Sequence, residues 1–154
     1  MLFGAYSKSF AEFEILADKA VRVEISSYGG TIYDMFGIID RIRSSPCHVV
    51  TRGFGKIMSA ATFILAAGDE RHIGANSWVM VHEMSDSIKG KMSSLEIDMR
   101  HNDRMQKQMY KLYEDLSKGK TSAKQWAKFC AIDHYISSEE VLDLGLVDHV
   151  TSEA

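Results

Sequence analysis

The sequence predicts a single α/β domain, residues 1–154, with parallel strand pairing. Segments that alternate apolar and polar residues are followed by segments with helical spacing, and this succession is typical of layered folds with parallel sheets. The 154 residues are 45% hydrophobic and 25% charged, which suits one core and makes two full domains unlikely. No repeat and no linker rich in Pro, Gly or Ser divides the chain.

The N-terminal half supplies the alternation of elements. Residues 21–30 alternate apolar and polar side chains and then break at Gly29-Gly30, which predicts a strand entering a tight turn. Residues 59–68 are nearly apolar all round, which predicts a short buried helix with Gly68 as its C-terminal cap. The other elements expected here are helices over 8–21 (from Phe10, Phe13 and Leu16) and 31–45, and strands over 47–55 and 77–84.

The C-terminal half is predicted to be mostly helical. Ser93 and Glu96 have the spacing of a capping box, ahead of a long helix that runs to about residue 118. Apolar residues at spacings of three and four make one stripe on this helix, typical of core or of a packing seam. The stripe comprises Leu95, Met99, Met105, Met109, Leu112 and Leu116, with a polar break at Asn102. Also expected are helices over 121–129 and 137–145, the second with a capping box at Ser137 and Glu140 and a stop at Gly145, and a closing strand over 146–150.

Composition argues against several classes of function. The net charge is −3 and no basic block occurs, so no nucleic-acid partner is expected. Cys47 and Cys130 stand apart without CxxC spacing, as buried thiols do in a reducing compartment. No apolar stretch approaches the roughly 20 residues that cross a bilayer, and the N-terminus lacks the features of a signal peptide. The composition therefore predicts a cytoplasmic protein without a membrane partner.

Ser59 is the first candidate for chemistry. It lies where a predicted strand meets the buried helix, and a helix start offers free backbone N–H groups and the positive end of the helix dipole. A plain N-cap, which is the commoner use of a lone serine, explains the residue equally well. Two explanations also fit Gly29-Gly30: the glycines let the backbone approach a ligand closely, or they simply form a turn. Without GxGxxG spacing, no dinucleotide cofactor is expected.

His82 and Asp133 are the other candidates. His82 ends a predicted strand, where it is either a catalytic base or a satisfied core residue, and His48 and His72 also lie near strand ends. Asp133 lies between two predicted helices, where an ordinary turn would use it too. No cluster of His, Cys, Asp or Glu has metal-ligand spacing, so no metal site is expected. The residues by themselves permit a serine triad without requiring one.

Five stretches, in order, resemble the family of the Clp protease proteolytic subunit, ClpP. The family carries a Ser-Pro-Gly-Gly turn, Ser-Met-Gly-Ala ahead of Leu-Ala-Ala-Gly, Asn-Ser-Arg-Val-Met-Ile-His, Asp-Arg-Phe-Leu-Ser and Tyr-Gly-Leu-Val-Asp. The matching stretches here are "SYGG" (27–30), "SAATFILAAG" (59–68), "NSWVMVH" (76–82), "DHYISSEE" (133–140) and "LGLVD" (144–148). The resemblance implies a ClpP/crotonase-type α/β fold with repeated β-β-α units and a protruding long handle helix, the handle region covering about 84–120.

The resemblance also implies a role for each candidate residue. Ser59 is expected to be the nucleophile and His82 the general base. Asp133 is expected to orient the imidazole and to stabilise its protonated form. The backbone N–H groups of Gly30 and Ala60 are expected to form the oxyanion hole, with no metal and no cofactor.

Some positions depart from the family's motifs. Ala60 stands where methionine is usual, but an oxyanion donor is a backbone N–H and tolerates the change. Tyr28 and Met84 stand where the family has prolines. Aligned on these motifs, the chain begins at the family's first helix, which is expected either of a compact relative or of an internal start. The family's axial loop then has no counterpart, and weak coupling to a partner ATPase is expected.

The implied function is that of an ATP-dependent-protease-type serine endopeptidase, which cleaves extended peptides inside a ring chamber. The implied partners are polypeptide substrates, a homo-oligomeric double ring of two heptamers and an AAA+ unfoldase. Three alternatives stay open: a catalytically idle ClpP-like ring subunit, a phage head-maturation protease, and a crotonase-like acyl-CoA enzyme on the same fold.

Overall fold

The structure, a computed structural model, describes the backbone of residues 10–15 and the complete residues 20–85 and 90–151. Over these ranges the chain forms a seven-stranded sheet and five helices. In chain order the elements are β1 (Phe10–Ile15), β2 (Ala20–Ser27), α1 (Ile32–Arg43), β3 (His48–Met58), α2 (Ala60–Ala66), β4 (Glu70–Gly74), β5 (Trp78–Val81), α3 (Met92–Leu116), α4 (Ala123–Cys130), β6 (His134–Ser137), α5 (Ser138–Leu144) and β7 (His149–Thr151).

The long strand β3 organises the sheet. Its first part pairs in parallel with β4, its last part pairs in parallel with β5, and β2 runs parallel along its other side. Beyond β4 the sheet continues in parallel to β7, whereas β1 on β2 and β6 on β5 are antiparallel. The predicted α/β fold with parallel pairing is confirmed. Because β3 and β5 are parallel neighbours, residues that follow their last paired positions lie side by side.

The helix α2 lies in the centre of the core, as expected for residues 59–68. All seven of its residues are buried, and it packs against β3, α1 and α3. Stacked rings tie it to the C-terminal half: Phe63 lies 3.7 Å from Tyr113 between ring centroids, and Tyr113 lies 4.6 Å from Trp126. A close-packed core of this kind holds the start of α2 in one position.

Four strands, β1, β3, β4 and β6, differ from the sequence predictions. The helix expected over 8–21 is wrong, because Phe10–Ile15 forms strand β1; residues 8–9 and 16–19 of that prediction lie outside the described residues. Phe10–Ile15 alternates apolar and polar residues, and its pairing with β2 selects the extended form. The strand predicted over 47–55 does not stop at its glycines and continues to Met58 as β3. β4 and β6 were not predicted, since both are short and rich in polar residues.

The helix ends also differ in part from the predictions. The capping box at Ser93 and Glu96 is wrong: α3 begins at Met92, and its N-cap residue Lys91 makes no side-chain capping bond. Gly68 is not a left-handed cap, because α2 ends at Ala66 and its C-cap is Ala67. The capping box and the glycine stop predicted for α5 are both confirmed.

The apolar stripe of α3 divides into two parts with different surroundings. Met105 and Met109 are buried within the chain itself, so this part of the stripe belongs to the core. Towards the start of the helix, Met92, Ile97 and Met99 are exposed at 75%, 60% and 65%. Within the described part of the chain, no helix is both long enough and apolar enough to cross a bilayer.

Candidate active site

Ser59 occupies a strained junction between β3 and α2. Its backbone has φ 55° and ψ −126°, a conformation that residues with side chains rarely adopt and that costs about 1–3 kcal/mol. Its N–H donates to the carbonyl of Met80 at 2.8 Å, which anchors the junction to β5. Although Ser59 stands at the N-cap position, its side chain makes no capping hydrogen bond. The simple N-cap explanation of this serine is therefore wrong.

The hydroxyl of Ser59 is directed at His82 instead. Nε2 of His82 lies 2.8 Å from Oγ of Ser59. The sheet explains this contact, because Met58 and Met80 are register partners in parallel strands and the two side chains follow just beyond them. Both residues are partly buried, so the pair is shielded and still reachable from solvent. A hydroxyl within hydrogen-bonding distance of an imidazole is the pairing that activates a serine nucleophile.

A chain of hydroxyl groups holds the junction from inside the core. The hydroxyl of Thr62 donates to the carbonyl of Ser59 at 2.7 Å, and the buried hydroxyl of Tyr113 is hydrogen-bonded to Thr62. Burial, more than any other cause, raises the pKa of Tyr113 well above its ordinary value, so its proton stays available for this bond. Sequence reasoning missed both residues, because their role depends on the packing of α3 against α2.

The Gly29-Gly30 turn packs against the same junction. Gly29 has φ 104°, and a Cβ added there would lie 2.8 Å from the carbonyl oxygen of Met58 and 2.8 Å from Cβ of Ser59. Only glycine meets both conditions without strain. Gly30, Ser59 and His82 line a small cleft of about 90 Å³.

Two backbone donors border this cleft. Among the described residues, the N–H groups of Gly30 and Ala60 have no hydrogen-bond acceptor. Ala60 is the first residue of α2, where helix geometry leaves an N–H free, and it lies next to Ser59. Free donors in the same cleft as a serine hydroxyl can receive the negative charge that develops when that hydroxyl attacks a carbonyl.

Asp133 lies immediately before β6, but its side chain is not hydrogen-bonded to the Ser59–His82 pair. β6 runs antiparallel to β5, and its last register pair, Val81 with His134, leaves Asp133 opposite His82 one step further. The ladder stops before that step. In the described part of the chain, Asp133 is exposed and no hydrogen bond connects it to His82. The orienting role of Asp133 stays a prediction.

The segment after His82 is held by the long helix α3. The N–H of Met84 donates to Oε1 of Gln106 at 2.6 Å. Met84 replaces a proline of the family motif, and a proline has no N–H to donate. The departure therefore creates a specific link between α3 and the chain beside His82, and it involves Gln106, which the sequence did not single out.

Asp148, the aspartate of the "LGLVD" stretch, forms an ion pair with the buried Arg71. Arg71, only 2% exposed, donates from Nη2 to Asp148 at 2.6 Å and from Nε at 2.8 Å. The same guanidinium donates to the carbonyls of Leu116 and Gly145. The hydrogen bond from Arg71, followed by that from Lys118, holds the pKa of Asp148 well below its usual range. Asp148 thus ties β7 to the core and has no contact with the Ser59 cleft.

The thiol of Cys130 does not compete with Ser59 as a candidate nucleophile. Burial, with a smaller effect from the charge of Glu83, raises the pKa of Cys130 to about 12, so this thiol is protonated and inert. The expected buried thiol is confirmed for Cys130, whereas Cys47 is only half-buried.

Comparison with known proteins identifies the family to which the chain is similar. The family model described as "Clp protease" matches residues 10–154. The chain is 31% identical over 134 residues to the ATP-dependent Clp protease proteolytic subunit of Porphyromonas gingivalis, covering 86% of this chain and 60% of that relative. It is 30% identical to the same subunit of Bacteroides fragilis, covering 86% and 64% of the two chains.

A third relative extends the comparison to another group of bacteria. The ATP-dependent Clp protease proteolytic subunit 2 of Treponema denticola is 32% identical over 136 residues, covering 87% of this chain and 67% of the relative. The chain thus spans about 60–67% of the length of these relatives. The fold and the order of motifs predicted from the sequence are those of the family that matches. With the family model matching nearly its whole length, this chain belongs to the Clp protease family.

Proposed function

We propose that the chain is a serine endopeptidase in which Ser59 is the nucleophile and His82 the general base. The observation that carries this proposal is the 2.8 Å contact between Oγ of Ser59 and Nε2 of His82 at a strained strand–helix junction. Strain of this kind persists only where the surrounding structure imposes it, and it is concentrated at active sites.

The chemistry follows from the geometry of the cleft. Nε2 of His82 takes the proton of Ser59 while Oγ attacks the carbonyl carbon of a peptide bond. The resulting oxyanion is received by the N–H groups of Gly30 and Ala60, each such donor contributing about 3–4 kcal/mol. The protonated imidazole then gives its proton to the leaving amine. Water activated by the same imidazole hydrolyses the acyl-enzyme.

Asp133 is the proposed third member of the triad. Its position opposite His82, one step beyond the last β5–β6 register pair, supports the proposal, since opposite residues have Cβ atoms about 5 Å apart. Its exposed side chain has to turn towards Nδ1 of His82 to orient the imidazole. One more residue pair in the β5–β6 ladder, His82 with Asp133, would bring the carboxylate of Asp133 towards Nδ1 of His82.

The exposed position of Asp133 also favours a second candidate function. A ring subunit that is catalytically idle would keep the Ser59–His82 pair and lack an oriented base. The two functions differ in turnover: the enzyme hydrolyses a short fluorogenic peptide, and the idle subunit does not.

For substrate and assembly, we propose what the resemblance to the Clp protease family implies for the whole protein. The substrate is a polypeptide bound in extended form beside the Gly30 turn, and the assembly is a double ring of two heptamers with an AAA+ unfoldase as partner. The exposed Met92 and Met99, seven residues apart on one face of α3, support an assembly surface, because exposed apolar side chains on one helix face are typically covered by a partner. A cytoplasmic location stays a prediction.

Labelling with a fluorophosphonate serine probe tests the function. The wild-type chain is expected to react at Ser59, as located by the mass of the labelled peptide, and Ser59→Ala is expected to lose all labelling. Ser85→Ala is the matched control, since Ser85 is an exposed serine that lines the same cleft and is expected to be dispensable. Labelling that persists in Ser59→Ala, or that disappears in Ser85→Ala, contradicts the proposal.

A further inference from the structure

We propose that Glu70, His72 and His149, assisted by His48, form a binding site for a Zn²⁺ ion on the sheet face opposite α2. This site is independent of the proposed peptidase activity. Its position follows from the register: His72 pairs with Arg52, and β3 runs from there to Met58 over roughly 20 Å before it reaches Ser59. No metal site was expected from the sequence, because His48 and His149 are far along the chain from Glu70 and His72.

The sheet places the four side chains on one face. Glu70 and His72 are two residues apart in β4, so both point away from the core while Arg71 between them points inward. His149 is the register partner of His72 in β7. His48 begins β3, two residues before the register partner of Glu70. Three adjacent strands therefore contribute to one cluster.

The distances suit a small ion. One ligand atom from each of Glu70, His72 and His149 lies within 4.8 Å of the other two. Nε2 of His72 is 2.6 Å from Oε1 of Glu70, and Nε2 of His48 is 3.6 Å from Oε2 of Glu70. Tetrahedral zinc, with bonds of about 2.0–2.1 Å to nitrogen, holds its donors roughly 3.3 Å apart, so the ion would replace the 2.6 Å hydrogen bond between His72 and Glu70 and move these two donors slightly apart. His149 is exposed and can close the remaining gap by changing its rotamer.

The donor chemistry selects a borderline cation. Two or three imidazoles with one carboxylate are ligands that suit Zn²⁺ and other late first-row ions, and they suit Ca²⁺ or Mg²⁺ poorly.

One atom of the cluster is not satisfied by the protein. Nδ1 of His72 is buried and has no hydrogen-bond partner among the described residues. Buried polar atoms without a protein partner are rare in folded proteins, and many of them contact a bound ion or an ordered water. The cluster is thus not a closed hydrogen-bond network of its own.

The expected effect of the ion is to fasten the edge of the sheet. β7 has only three residues, His149–Thr151, and pairs only with β4 within the described chain. An ion shared by His149, His72 and Glu70 would link β7 to β4 by bonds that the unfolded chain cannot make. Binding to the folded state alone raises the melting temperature, by about 5–10 °C at a hundredfold excess of ion over its Kd for a chain of this size.

The test is calorimetric titration of the metal-stripped 154-residue chain with Zn²⁺ alone, paired with thermal unfolding. Wild type is expected to bind one ion per chain and to show the rise in melting temperature. His149→Ala, at an exposed position, and Glu70→Gln, close in shape, are each expected to weaken binding by at least about tenfold and to abolish the thermal shift. His101→Ala is the matched control, a helix histidine outside the cluster, and is expected to bind as wild type does.

Several outcomes would overturn the site. One is the absence of both stoichiometric binding and a thermal shift in the wild-type chain. Another is binding that is unchanged in both His149→Ala and Glu70→Gln. A third is binding that survives in those variants and is lost in His82→Ala, which would place the ion at the Ser59 cleft. None of these readouts depends on peptidase activity.

Discussion

Replacing Gly29 by alanine tests the packing of the glycine turn against the candidate nucleophile. The new Cβ would lie 2.8 Å from the carbonyl oxygen of Met58, 2.8 Å from Cβ of Ser59 and 3.1 Å from the backbone nitrogen of Ala60. All three neighbours are backbone atoms or sit directly on the backbone, so none can move aside by a change of rotamer. The turn itself has to shift.

The magnitude follows from two contributions. Gly29 has φ 104°, and positive φ costs an alanine about 1–2 kcal/mol relative to glycine. Heavy-atom contacts are comfortable at about 3.5–4.0 Å, and overpacking of a filled site typically costs about 1–3 kcal/mol. We therefore expect Gly29→Ala to lower the free energy of unfolding by about 2–5 kcal/mol. Relief of the clash by moving the turn displaces the N–H of Gly30, which lowers kcat by about a hundredfold.

Urea denaturation measures the first effect, and hydrolysis of a short fluorogenic peptide measures the second. Gly37→Ala is the matched control, because Gly37 lies within α1 and a Cβ there meets nothing within 4 Å. That substitution is expected to leave activity unchanged and to stabilise the helix by about 0.5–1 kcal/mol. If Gly29→Ala unfolds at the same urea concentration as wild type and keeps full activity, the turn does not pack against the Ser59 junction and the reasoning fails.

Three further predictions concern the acid, the ion pair and the assembly surface. Asp133→Asn is expected to fold normally and to lose most peptidase activity, because an amide favours the wrong tautomer of His82; turnover near that of wild type would reduce Asp133 to a turn residue. Asp148→Asn is expected to lose about 3 kcal/mol of stability at neutral pH, since Arg71 stays buried without its partner. The lowered pKa of Asp148 stabilises the fold above about pH 4, and this contribution disappears as the pH falls towards that pKa, so urea denaturation across pH should show a flatter acid limb in the variant. Met99→Glu is expected to reduce the mass measured by light scattering without changing the thermal stability of the subunit, because Met99 is 65% exposed; an unchanged mass would remove this face from the assembly surface.

Signals between near neighbours in the chain were enough to predict several elements and the start of the site. The alternation that ends at Gly29-Gly30 predicted β2 and its turn, and the all-apolar run after Ser59 predicted α2 as a buried helix. Ser137 and Glu140 predicted the capping box of α5, which depends only on residues three apart. Ser59 and His82 could be named because each marks the end of a strand that is visible in the sequence.

Partners distant in the chain decided the rest. Phe10–Ile15 fits a helix or a strand when considered by itself, and the available edge of β2 makes it a strand. The polar residues of β4 mask its strand pattern in the sequence. The role of Arg71 depends on its ion pair with Asp148, which is distant in the chain.

The site shows the same division between local and distant determinants. The sequence by itself places Ser59 and His82 at strand ends, whereas the parallel pairing of β3 with β5 brings their atoms to 2.8 Å. It likewise contains every residue of the Glu70–His72–His149 cluster, but no local pattern relates the last to the first two. Local patterns reflect the conformational preferences of short segments. The register between strands depends instead on burial and hydrogen bonding across the whole sheet, and these exist only in the folded chain.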